Sequence, residues 1–215
     1  MARSVLPILL VIGLLPGAAA ADRGALSFEI GPVFTLLPSA PSAGGGGSVT
    51  GTVGGVLFGG RYALRNELEL TATAFYEAPA TFFHPGVRLA TGAGNFDGTL
   101  SERASRYGAL VGARFVRGFV LRYHVGAELG WAHQVFRSRD LVNVADPANP
   151  HSFCLGLSDD SQDALVVAPL AGVEWQVADH LTVAVTPRAE LMLGGAGSFA
   201  FVVPVTIGFS WFVFR

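Results

Sequence analysis

The chain has a single cysteine, Cys154, few charges and, beyond Leu15, no long apolar run. Each shortage excludes something. One thiol rules out a disulfide within the chain. With no activating neighbour in the sequence, Cys154 reads as an unpaired loop thiol. Charged residues make up 14% of the chain, against roughly 25% in soluble domains. The net charge of −2 gives no reason to expect nucleic acid or an electrostatic membrane anchor. No later segment approaches the about 20 apolar residues a spanning helix needs. Yet 51% of the residues are hydrophobic and 28 are glycine. A chain this oily and glycine-rich, without an apolar helix, suits a sheet whose outer face meets lipid.

The N-terminal segment is set apart from that sheet. Arg3 gives a positive start, Val5 to Leu15 is a short apolar run, Pro16-Gly17 breaks it, and Ala18 to Ala21 supply small residues. This order of features is that of a cleaved secretory signal peptide. Residues 1–20 are assigned to it, with cleavage after Ala20 or Ala21, and no cysteine stands there to carry a lipid anchor. Residues 21–215 form a chain short enough for one domain.

Beyond the signal the dominant pattern has period two. Leu68, Leu70, Ala72, Ala74 and Tyr76 share one parity, and Glu67, Glu69, Thr71, Thr73 and Phe75 the other. Successive side chains of a strand point to opposite faces, so this segment has one oily and one mostly polar face. The pattern predicts eight strands, near residues 25–37, 49–58, 62–77, 103–116, 119–136, 164–177, 181–193 and 201–214. Gly59-Gly60-Arg61, Arg117-Gly118 and Ala178-Asp179-His180 read as tight turns. Residues 38–48, 78–102, 137–163 and 194–200 read as longer loops. Short turns on one side and long loops on the other are the arrangement of bacterial barrels. An open sheet in lipid would leave backbone groups unpaired, so the sheet must close. The expected fold is all-β, an eight-stranded antiparallel up-and-down transmembrane β-barrel. Pro32, Pro169, Pro187 and Pro204 fall inside proposed strands and predict bulges or altered pairing, since proline cannot donate a ladder bond. Pro204 could also mark the start of the last strand.

The aromatics on the apolar parity sort into two bands. Tyr62, Phe115, Tyr123, Trp175 and Trp211 lie toward the short turns or the C-terminus, and Phe34, Tyr76, Tyr107 and Trp131 toward the long loops. Rings in two bands are expected where a wall crosses two lipid–water interfaces. Ile207, Phe209, Trp211 and Val213 alternate along the last strand, with Phe214 penultimate and Arg215 final. That ending is similar to the C-terminal strand of outer-membrane barrels, although their final residue is usually the aromatic itself. The chain beyond the signal resembles the small eight-stranded barrels, such as the transmembrane domain of outer-membrane protein A. The resemblance implies residence in the bacterial outer membrane, contact with its lipids including lipopolysaccharide, and recognition of the last strand by the barrel assembly machinery. It also implies a monomer.

The polar parity collects Glu29, Glu67, Glu69, Glu77, Glu128, Glu174 and Glu190 with Arg106, Arg114, Arg122, Arg188 and His124. Charges removed from water require pairing, and arginine's fork matches a carboxylate. The expected filling is a set of Arg–Glu pairs inside the barrel, with Arg106 or Arg122 beside Glu128 and partners near Arg188 for Glu190. Such a plug fits a structural or surface-interaction role. The alternative, a narrow channel for ions or small solutes, requires the pairs to exchange partners. A third reading, a lipid A-modifying acyl hydrolase or transferase, requires a nucleophile, a base and an orienting acid in reach. His133 near the outer end of strand five, with Ser138 and Asp140 beyond it, are its candidates, and His84, His151 and Ser152 lie in loops, but no complete set is visible. No catalytic, cofactor or metal residue is assigned. His124 lacks a second ligand at metal spacing, and Asp159, Asp160 and Asp163 lack the calcium-loop pattern. The two longest loops, with Phe82-Phe83-His84 and Phe96 in one and Leu141, Phe153 and Leu155 in the other, are the binding candidates, because loops on a rigid scaffold commonly carry recognition.

Overall fold

The computed structural model describes residues 24–39, 51–91, 94–142, 154–194 and 198–212. The proposed signal segment and its cleavage site lie outside them. So do the glycine-rich stretch 40–50, His151, Ser152 and the last three residues.

Alternation along the chain produces ten strand segments: β1 (Ala25–Ser39), β2 (Gly51–Arg65), β3 (Leu68–Thr91), β4 (Gly94–Gly118), β5 (Leu121–Val142), β6 (Cys154–Leu157), β7 (Asp160–Ala178), β8 (Leu181–Val185), β9 (Arg188–Leu193) and β10 (Ser198–Phe212). The sheet closes where β1 pairs antiparallel with β10, from Ala25 opposite Phe212 to Leu36 opposite Phe201. Closure removes the two edges that lipid could not satisfy.

The ring has eight staves. Among the described residues, β6 pairs only with the far end of β5. β8 and β9 are one stave interrupted at Thr186–Pro187. Val185 faces Val205 and Arg188 faces Val202 on β10, and Val173 faces Val185 while Leu170 faces Arg188 on β7, so the register does not change across the gap. The gap exists because proline brings no N–H to the ladder. The ladder between β1 and β10 likewise lapses between Ile30–Ile207 and Val33–Pro204. Between β7 and β9 it lapses from Val167–Leu191 to Leu170–Arg188. At Pro32, Pro169, Pro187 and Pro204, therefore, pairing is altered by skipped rungs, with no inserted residue. β10 begins at Ser198, so Pro204 lies inside it and does not start it. Insertions occur on β3, where the register with β4 shifts between Glu77 and Ala80 and between His84 and Val87. Pro79 and Pro85 fall in those two bulges, a position that suits proline.

Two sequence expectations require correction. Gly59-Gly60-Arg61 is not a turn. β2 runs through it, and the chain reverses at Asn66–Glu67. Glu67 is thus a half-buried turn residue off the ladder, and its carbonyl accepts from the Val116 amide at 2.9 Å. The segments 78–102 and 137–163 are not simply loops either. β3 and β4 continue as a paired hairpin to Thr91 and Gly94, and β5 continues to Val142 with β6 beside it. A strand crosses a bilayer in about 9–11 residues, so the 24 residues of β3 and 25 of β4 reach well past one side. The tight turns at Gly118 and at Asp179–His180 close the other side. Gly118 has φ +119°, a conformation that requires glycine.

The wall separates two environments. Ile30, Phe58, Val111, Val125, Leu129 and Ile207 are exposed on its outer face. The inner face carries the buried charges. The usual soluble arrangement is inverted, and the core of this molecule is its lumen.

Candidate functional site in the lumen and at the outer rim

The chain has no lysine, so its permanent side-chain cations are all arginine, whose planar fork binds carboxylates from two directions. The lumen uses that property in two layers. In the layer nearer the short turns, Arg61 of β2 donates to Glu174 of β7 and lies 3.4 Å from Glu29. Arg114 donates to Glu69 at 2.7 Å and to Glu174 at 3.0 Å. Arg122 donates to Glu69 at 2.8 Å and lies 3.2 Å from the second oxygen of Glu174. Arg61 was missed in the sequence because the glycines before it imitated a turn. Its parity, shared with the inward Val53 and Leu57, carried the signal. Gly208 makes room for it: a Cβ there would stand 2.9 Å from Arg61 Nη2 and 2.6 Å from Thr182 Oγ1. His124 is buried beside this layer, its Nε2 3.1 Å from Thr186 Oγ1.

In the next layer Arg106 grips Glu77 through Nε at 2.9 Å and Nη2 at 2.5 Å, and reaches Glu190 through Nη1 at 2.5 Å. Arg188 lies 2.7 Å from Glu190 and donates to Glu128 at 3.4 Å. Glu128 therefore pairs with Arg188, and neither Arg106 nor Arg122 is its partner. The β4–β5 register explains this, since Arg106 faces Gln134 and Glu128 faces Gly112. Thr35 donates to Glu77 at 2.6 Å and Thr73 to Glu128 at 3.1 Å. The Arg106 and Arg188 guanidinium carbons lie 4.9 and 5.5 Å from the Phe75 ring centre, close enough for cation–π attraction.

Around the second layer and beyond it the lumen also carries apolar side chains, which the sequence reading did not anticipate. Val33, Val53, Phe82, Val166, Met192 and Val202 pack together inside the wall. Further out, Arg139 holds Glu102 at 3.3 Å, and Val87, Leu100 and Leu141 pack with Leu155 and Leu157. The cavity lined by Glu29, Thr71, Arg114, Glu128 and Arg188 has about 20 Å³ of space for water centres, roughly one or two waters.

On the outer face, Phe34, Tyr76, Tyr107 and Trp131 are exposed toward the long hairpins, and Phe115, Tyr123, Trp175 and Trp211 toward the short turns, with Tyr62 half-buried among the latter. Tyr107 and Trp131 meet edge to face at 5.7 Å, and His133 stacks on Trp131. Asp163 of β7 accepts from Trp131 Nε1 at 2.8 Å and lies 2.8 Å from His133 Nδ1. The acid beside His133 is thus Asp163, not Asp140, which faces Ser101 further along the hairpin. Ser138 is also remote from His133, in a bulge, and its amide donates to Asp159 at 3.3 Å. Among the described residues no hydroxyl or thiol is hydrogen-bonded to His133.

A closed eight-stave barrel with an apolar exterior and an ion-paired interior has the architecture of the small outer-membrane β-barrel proteins. No protein-family model matches the sequence, and no curated protein matches it. Solved structures do match. The outer membrane protein OprG from Pseudomonas aeruginosa superposes with a TM-score of 0.55 at 12% identity, over 90% of this chain and 98% of that one. Ail, the attachment invasion locus protein of Yersinia pestis, gives 0.51 at 10% identity, over 88% and 100%. Neisserial surface protein A gives 0.50 at 13% identity, over 88% and 99%. At these identities the likeness is one of fold. Ail is also known in complex with the heparin analogue sucrose octasulfate.

Proposed function

We propose that this protein is an integral, monomeric barrel of the bacterial outer membrane. Its filled lumen serves as a scaffold, and its work is done by the outer wall and the projecting hairpins at the cell surface. The observation that carries this reading is the filling itself. Two layers of Arg–Glu pairs are packed with apolar side chains around and beyond the second, and the cavity between the charges admits only about a water or two. Small barrels fill their interior in this way, whereas conducting barrels keep a wide channel. The hairpin of β3 and β4 and the end of β5 with β6 supply rigid extensions beyond the wall. Rigid elements position contacts better than unpaired loops do.

The lipids of the outer leaflet, lipopolysaccharide among them, are the first partners of such a wall. Assembly proceeds through the C-terminal strand, after removal of residues 1–20 or 1–21. Protease treatment of intact cells tests the surface reading. Cleavage within 78–102 or 137–163 with the rest of the barrel protected is the expected pattern, and a fully protected chain in a protein shown to be membrane-inserted contradicts it.

A further inference from the structure

One pair of arginines on the outer wall takes no part in the pairings described above. Arg103 of β4 and Arg137 of β5 face each other directly across the ladder, both exposed on the outer wall. Like charges directly opposite on a sheet repel. Among the described residues, no carboxylate lies within ion-pair distance of either guanidinium. Acids on the neighbouring strand segments have other partners. Asp159, one residue beyond the Phe136–Asp160 rung, accepts from the Ser138 amide. Asp160 lies 3.8 Å from Arg139. Glu102 turns inward to Arg139, and Asp163 is held by Trp131 and His133.

The backbone creates this arrangement. Ser138 has φ +48°, and the β4–β5 register shifts beside it, between Ser101 and Arg103. That bulge turns Arg139 into the lumen while leaving Arg137 on the wall. Without it, Arg137 and Arg139 would share one face.

Height on the wall indicates what meets the pair. Arg103 lies four residues before Tyr107 and Arg137 four after His133, which is about 13 Å along the strands. With a strand tilt of about 35–45°, that is roughly 10 Å further from the bilayer centre. If the aromatic band marks the lipid–water boundary, the arginines stand among the headgroups of the outer leaflet. Paired guanidinium forks at that depth fit a phosphoryl group, whose oxygens accept from both at once.

We propose that Arg103 and Arg137 form a clamp for a phosphoryl group carried by a glycolipid of the outer leaflet. The inference rests on the surface orientation proposed above. The test uses the folded full-length protein in detergent micelles, titrated with bisphosphorylated lipid A, with its dephosphorylated form and with inorganic phosphate. The wild type should bind the bisphosphorylated lipid at least tenfold more tightly than the dephosphorylated one. R103Q/R137Q should lose that preference, R103K/R137K should keep part of it, and R65Q, at an exposed arginine by the opposite turn, should keep all of it. Equal binding of the two lipids by the wild type overturns the clamp, as does an unchanged preference in R103Q/R137Q. Saturable inorganic phosphate binding without a lipid preference overturns the lipid as its carrier. Thiol labelling of T81C in a C154S background on intact cells reports orientation separately, because Thr81 faces Arg103. An unlabelled Thr81 position means the orientation has failed, and with it the clamp. A labelled one without lipid preference means that only the clamp has failed.

Discussion

Arg61 on β2 and Glu174 on β7 meet inside the barrel although 113 residues separate them. Going round the ring from β2, the staves β1, β10 and β8/β9 come before β7 in one direction and β3, β4 and β5 in the other. The two residues therefore join opposite walls, and their contact spans the lumen. An open sheet cannot make it. Removing one partner leaves a buried charge uncompensated, which costs about 3–5 kcal/mol. Arg61→Ala should lower the urea midpoint of the barrel in micelles accordingly. R61Q/E174Q, which removes both charges, should lose less than R61A. A near-neutral R61A would mean that the lumen is open to water at that depth.

The room for Arg61 comes from Gly208. A Val there places carbon against both Arg61 and Thr182. Overpacking of this kind costs about 1–3 kcal/mol. Gly208→Val should destabilise the barrel in the same assay, while Gly60→Val, where a Cβ meets nothing within 4 Å, should not.

Ser138 offers a backbone test. At φ +48° a β-branched side chain is strained by roughly 1–2 kcal/mol, and glycine is not. Ser138→Gly should preserve or raise thermal stability, and Ser138→Val should lower it. Equal stability of the two would remove the bulge from the account of how Arg137 and Arg139 part.

The prolines make a different prediction. Pro32, Pro204, Pro187 and Pro169 sit on the four successive staves β1, β10, β8/β9 and β7, where rungs are skipped. The β4–β5 ladder has an unbroken run from Arg103 to Gly118. Amide exchange should be faster around Val185–Arg188 than at Leu110–Arg114, because local opening follows local bonding. Uniform protection round the ring would contradict this.

These tests also show where the sequence could be read. The eight-stave ring was legible because both faces of a transmembrane wall are chemically distinct, so Leu70, Ala72 and Ala74 separate cleanly from Glu69, Thr71 and Thr73. That contrast fades beyond the lipid. In the hairpin past Tyr76 the outer face meets water, and the bulges at Pro79 and Pro85 shift the parity, so paired strand reads as loop. Gly59-Gly60 misled for a related reason. Glycine usually signals a turn, but inside a narrow lumen it signals space, and a Cβ on Gly59 would strike the side chain of Glu29 at 2.5 Å. The lumen partners were not legible, because Arg61–Glu174 crosses the barrel and Arg188–Glu128 reaches over β7, so both depend on the arrangement of staves and not on any local spacing. The pairing of His133 with Asp163 likewise required the β5–β7 register.

The central claim is that the lumen is filled and static. Planar-bilayer recording of the purified, refolded protein tests it most directly. The account predicts a silent membrane at neutral pH, with R61A/R106A, which removes an arginine from each charged layer, as the variant most prone to leak. Discrete, reproducible openings from the wild-type protein would contradict it and would establish a conducting path through the Arg–Glu layers.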